Sequence, residues 1–154
     1  MCSVVVRSLG LAGSLLLAGT SLTAAEPVGP NLTPKLRDLL RQEMASVLGA
    51  THDILGALVI GDHATVAERA QQIHDSFILQ QSLSEQDRQD LMAAVPPEFV
   101  ELDRAFHETS AELAEAARAG EVEQAVTAFA RLTEACVACH GRFATDRFPG
   151  LTPE

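Results

Sequence analysis

Five consecutive residues near the C-terminal end, Cys136-Val137-Ala138-Cys139-His140, constrain this chain more than any other stretch. C-x-x-C-H is the spacing of a c-type haem attachment site, where each thiol adds across one vinyl group and the adjacent imidazole ligates the iron. On a helix these side chains fall at i, i+3 and i+4, so all three project from one face of about one turn. A structural cysteine pair, half of a zinc site and a redox dithiol remain open for the same residues. Zinc, however, wants four ligands, and a thioredoxin-type motif wants a βαβ setting.

The residues leading to the motif have a helical period. Thr33-Pro34 reads as an N-cap followed by proline at the first helical position. Leu36, Leu40, Met44, Val47, Thr51, Ile54 and Leu58 then recur every three or four residues, with Leu39, Leu48, Leu55 and Val59 widening the stripe. Gly61-Asp62 closes this helix and can cap a second, from about His63 to about Gln80, with Val66, Ala70, Ile73, Phe77 and Ile78 inward. Ser84-Glu85-Gln86-Asp87 has the form of a capping arrangement for a short helix reaching Val95. Pro96-Pro97 stops that helix and starts a third long one, which carries Phe99, Leu102, Phe106 and Leu113 and ends at Gly120. The last helix begins near Glu121, places Val122, Val126, Phe129 and Leu132 inward, and carries the cysteine motif in its final turns. Glu26–Leu32 reads as a mobile lead-in, and the tail from Asp146 as irregular. The expected fold is all-α: an antiparallel up-down-up-down four-helix bundle, with the haem near the C-terminal end of the fourth long helix.

Residues 1–25 read as a signal peptide and not as part of this domain. Arg7 is the only charge before Glu26, Leu9–Ala18 is apolar, and Thr23-Ala24-Ala25 resembles a small-residue cleavage site. The bundle domain is then 26–154. Cleavage removes Cys2 and leaves both remaining cysteines inside the motif. It also leaves 10 Lys and Arg against 21 Asp and Glu, so the net charge is −11. Without a basic patch, nucleic-acid binding is disfavoured, and a redox partner with a basic docking surface is expected.

Four amphipathic helices with C-x-x-C-H near the C-terminus resemble the class II c-type cytochromes, the family of cytochrome c prime and its low-spin relatives. The resemblance covers the whole mature chain. It implies one covalently attached haem c, held by Cys136 and Cys139 with His140 as axial iron ligand, in a protein exported to the periplasm. Arg41-Gln42 matches a pair found in the family's first helix, and Arg41 is a candidate for a haem propionate. Where the family has an aromatic and then a basic residue after the axial histidine, this chain has Phe143 and Ala144, with Arg142 the nearest arginine. Members often form homodimers through their first two helices.

The ligand opposite His140 follows from counting along antiparallel helices. His140 lies about 28 Å into the last helix at 1.5 Å per residue, level with residues 41–44 of the first. Met44 is therefore the candidate second iron ligand, although alignment on Arg41-Gln42 puts the family's distal position next to it, at Ala45. His52 misses this level by roughly 12 Å, and His74 and His107 by roughly 9 Å each, while His63 sits at the far end. Leu40, Ile78, Phe99, Leu102, Phe106 and Phe143 fall near haem level. The resemblance implies a carrier and not an enzyme: a monohaem protein for electron transfer, its potential raised by a Met44 thioether. Two alternatives stand beside it. One is a five-coordinate protein that binds NO or CO. The other is a haem-free exported dithiol oxidoreductase using Cys136 and Cys139.

Overall fold

The computed structural model describes residues 27–76, 78 and 83–151. The proposed signal peptide lies outside them, as do Phe77 and Gln80. Among the described residues the regular structure is entirely helical: α1 Pro34–Ile60, α2 His63–Asp75, α3 Glu85–Ala94, α4 Pro97–Ala119 and α5 Val122–Phe143.

Local chemistry sets these boundaries. The Thr33 hydroxyl accepts from the Leu36 N–H to open α1, with Pro34 at the first position. α1 and α4 both end on a left-handed glycine, Gly61 at φ 75° and Gly120 at φ 72°. In each case the N–H of the following residue reaches back to a carbonyl five residues earlier, Asp62 to Ala57 and Glu121 to Ala116, both at 2.9 Å. Asp62 then caps α2 by accepting from the Thr65 N–H, so a single two-residue corner closes one helix and opens the next. At α3 the capping box is complete, with Ser84 and Asp87 exchanging side-chain and backbone bonds. Lys35 of α1 adds a 2.6 Å bond to Asp87 and, with Ser84, holds that carboxyl down to about 2.

Pairwise contacts run in opposite directions along neighbouring helices. Arg69 pairs with Asp53 and the Ile78 N–H with Glu43, so α2 and the segment after it return along α1. His107 meets Ile73 while Ser110 meets Ala70, so α4 runs against α2. Arg131 pairs with Glu112, and Phe143 packs edge-to-face on Phe99, so α5 runs against α4. Two apolar clusters result. The larger joins Val47, Ala50, Ile54, Val66, Ala70, Ile73, Leu113, Ala117, Ala125 and Leu132. The smaller lies at the Phe143 end of α5 and contains Val28, Leu32, Leu36, Leu83, Leu91, Val95, Phe99 and Phe143.

Several sequence expectations change here. α2 stops at Asp75 because Ser76 turns back on it, donating both its N–H and its hydroxyl to the Ile73 carbonyl. The buried line of α1 runs through Leu36, Glu43, Val47, Ala50, Ile54 and Ala57, and leaves Leu48, Leu55 and Val59 exposed. On α5, Ala125, Ala128 and Leu132 face inward, whereas Val122 and Val126 are half exposed. Both helices bury their alanine lines, which permit close approach of the backbones; the larger side chains flank the contact. The lead-in, expected to be mobile, is instead packed. Val28 and Leu32 are buried, the Val28 N–H donates to the Phe143 carbonyl at 2.9 Å, and Arg37 bonds the Gly29 and Leu32 carbonyls.

Gly120→Ala places a Cβ on a left-handed residue and is expected to cost about 1 kcal/mol, read as a lower urea midpoint with unchanged slope. Gly49→Ala, in mid-α1 with open space around its Cβ and no positive φ, is expected to gain up to about 1 kcal/mol.

Candidate functional site

The last turns of α5 bring Cys136, Cys139 and His140 together on one stretch of helix, at the end of the molecule held by the smaller apolar cluster. Both thiols are free and half-buried. Cys139 packs against the smaller cluster, as do Leu39, Leu40 and Leu102. Cys136 donates to the Leu132 carbonyl one turn back at 3.2 Å. Burial pushes the Cys136 thiol above its usual range and the Cys139 thiol up to about 11, with the negative charge of Asp103 adding to the latter. Redox dithiols work through lowered thiol pKa values, so this environment opposes a haem-free dithiol enzyme.

His140 is half-buried, and burial lowers its pKa. Its imidazole stacks on the Phe148 ring, with centroids 4.7 Å apart and planes inclined by 18°. No protein group among the described residues bonds either ring nitrogen. Two unpaired thiols, an imidazole with free ring nitrogens and an apolar wall are the donor set and surroundings that thioether-linked haem requires.

On the opposite side of the bundle interior the inward residue of α1 is Glu43, with Met44 half-buried beside it. Glu43 Oε1 accepts from the Ile78 N–H at 3.2 Å and lies 3.4 Å from His107 Nε2. Asp103 Oδ1 stands 3.8 Å from the same nitrogen. The other nitrogen of His107, Nδ1, donates to the Ile73 carbonyl at 2.8 Å. Both ring nitrogens therefore face acceptors, which suits an imidazolium. Burial works against that charge, but Glu43, Asp103 and the Ile73 carbonyl outweigh it and hold the His107 pKa above its usual value. Asp103 moves in the same sense. Burial lifts its carboxyl to about 6 against the pull of His107. His74 is engaged as well, its Nδ1 donating to the His107 carbonyl at 3.0 Å.

This buried acid–imidazole group was not singled out in the sequence, although a signal exists there. Asp103, His107 and Ser110 continue the apolar line of Phe99 and Leu113 at helical spacing, and Glu43 sits on the corresponding line of α1 between Leu36 and Val47. Other proposed residues are placed as follows. Arg41 is exposed and bonds Asp38 at 3.2 Å. Arg142 stands over the Phe143 ring, 5.1 Å from its centroid. Of the residues expected near haem level, Phe99 and Phe143 belong to the cluster that Leu40, Leu102 and Cys139 pack against, whereas Phe106 packs on the larger cluster.

A family model described as Cytochrome C' matches residues 40–144, from the second turn of α1 to just past the end of α5. No curated protein and no solved structure matches the chain.

Two outcomes test the buried group. His107→Leu leaves the Glu43 carboxylate without its cation in the core, and is expected to lower the unfolding free energy by about 3 kcal/mol in urea titrations at neutral pH. Asp103 binds its proton more tightly folded than unfolded, so its contribution is greatest below the unfolded carboxylate pKa and is lost as pH rises through about 6. Relative to Asp103→Asn, the wild type is therefore expected to lose stability as pH is raised from about 4 to 7.

Proposed function

Because this chain belongs to the cytochrome c′ family, whose members carry a covalently attached c-type haem, we propose that it is an exported monohaem electron carrier. The attachment thiols are Cys136 and Cys139, and His140 is the axial ligand. The observation that carries this reading is the state of the motif: unpaired thiols against an apolar cluster, and an imidazole whose nitrogens no protein group among the described residues engages. Bound there, the haem supplies an iron centre that takes up and releases one electron.

The chain's own residues account for how such a group is held and shielded. Phe99 and Phe143, in the apolar cluster that Cys139 packs against with Leu40 and Leu102, would shield that side of the group from water. Met44 is the proposed second iron ligand. Its neighbour Glu43 and Asp103 both lie against His107 Nε2, and the charge of Asp103 reaches Cys139, which supports reading residues 43 and 44 as level with the motif. A thioether opposite imidazole raises the reduction potential and suits a carrier. Arg41, close to this level and exposed, is free to exchange Asp38 for a propionate. The acidic surface suits a redox partner with a basic docking face. The exposed apolar side of α1, with Leu48, Leu55, Val59 and Ile60, suits a second copy of this chain.

One observation favours a second reading, a five-coordinate protein binding NO or CO: Glu43, and not Met44, is the fully buried residue of α1 at this level. The absorption spectrum of the purified protein separates the two. Met44 ligation is expected to give a sharp low-spin reduced α-band and a weak sulfur–iron band at the red edge of the visible, both lost in Met44→Ala. A broad reduced Soret band without split α and β bands, unchanged in Met44→Ala, would assign gas binding instead. For the dimer, Leu48→Glu with Leu55→Glu is expected to convert a two-chain species to a monomer in sedimentation.

A further inference from the structure

The tail beyond α5 is built to fit the histidine turn. The Ala144 N–H returns to the His140 carbonyl at 3.1 Å, and the Arg147 and Phe148 N–H groups both reach the Ala144 carbonyl, at 3.0 and 2.9 Å. This turn reverses the chain and lays the Phe148 ring nearly parallel on the His140 imidazole. A short 3-10 turn at Pro149–Leu151 follows, closed by the Leu151 N–H on the Phe148 carbonyl at 3.0 Å. It brings the Leu151 carbonyl over Gly141, so close that a Cβ there would stand 2.6 Å from the oxygen. Gly141, in the last turn of α5, has no positive φ and is required for space alone. Two adjacent residues, the histidine and the glycine after it, thus each meet a separate part of the same tail.

Phe148 stays two-fifths exposed, so its ring is seated on the surface and not in the core. What the stack does restrict is rotation of the imidazole about its own χ2, a torsion that is otherwise broad. A face-on contact leaves both ring nitrogens, which lie on the ring edge, accessible.

We propose that the tail segment 145–151 is a positioning clamp for the axial ligand: Phe148, seated through the close approach of Leu151 to Gly141, sets the plane of the His140 imidazole. Phe148 is a positioning residue and not an iron ligand. The proposal rests on the reading of His140 as axial ligand of a covalent haem.

The plane of an axial imidazole orders the paramagnetically shifted haem-methyl resonances of the ferric protein, and a merely structural tail would not move them. The test is the proton NMR spectrum of ferric holoprotein from a host that attaches haem, for wild type, Phe148→Ala, Phe148→Tyr and Gly141→Ala. Phe148→Ala and Gly141→Ala, which disturb the clamp from opposite sides, are expected to shift the methyl pattern in the same direction. Phe148→Tyr, which keeps a flat ring, is expected to retain the wild-type pattern. A wild-type methyl pattern in Phe148→Ala would overturn the clamp while leaving the haem assignment standing. Intact mass distinguishes the other failure: wild-type protein without the added mass of one haem overturns the functional reading, and the clamp with it.

Discussion

The buried contact between His107 and Glu43 is the interaction on which the arrangement of helices depends. A cationic imidazole cannot be buried without acceptors, and three elements supply them: Glu43 from α1, Asp103 one turn earlier on α4, and the Ile73 carbonyl at the end of α2. Ile73 also accepts from Ser76, and a cation is favourable at a helix C-terminus, so the same group that pins α4 also marks where α2 stops. Ser110 donating to the Ala70 carbonyl and His74 donating to the His107 carbonyl extend this seam in both directions. Apolar contacts would tolerate small slips of one helix along another. Directional bonds from buried donors do not, and they hold the α2–α4 register.

That register decides what lies across from the cysteine motif. α5 docks on α4, with Phe143 on Phe99 at its C-terminal end and Arg131 on Glu112 midway along it, so Cys139 comes within the field of Asp103. The lead-in closes the same end from outside, where Val28 and Leu32 join the cluster and the Val28 N–H takes the Phe143 carbonyl. The tail closes it from the other side through Phe148 and Leu151. Both termini of the described chain thus converge on the end that carries the cysteine motif. This suits a cofactor whose attachment points are exposed until the chain is folded around them.

The helices themselves were legible because their punctuation is local. Thr33-Pro34, Gly61-Asp62, Ser84 with Asp87, Pro96-Pro97 and Gly120 each act through bonds within a few residues, and each stands where expected. Which line of a helix faces inward was less legible. On α1 the expected stripe is buried at Leu36, Val47 and Ile54, but its widening through Leu48, Leu55 and Val59 is exposed and Glu43, Ala50 and Ala57 are buried in its place, because close approach selects small side chains and His107 selects a polar partner. The end of α2 was misplaced for a related reason: Ser76 and the Ile78–Glu43 bond override an apolar periodicity that continues past them.

The sequence alone determined the chemistry of this protein. Two thiols and an imidazole at i, i+3 and i+4 near the end of a helical chain point to a covalent haem and to the family that the match over residues 40–144 shows, since that spacing acts within a single turn. Tertiary structure alone decided the surroundings: a carboxylate inward at residue 43 with Met44 half-buried at its side, an acid–imidazole group in the core, and an aromatic ring laid on His140. These depend on residues from different helices meeting at a distance set by packing and buried charge, and no local spacing in the chain encodes that meeting.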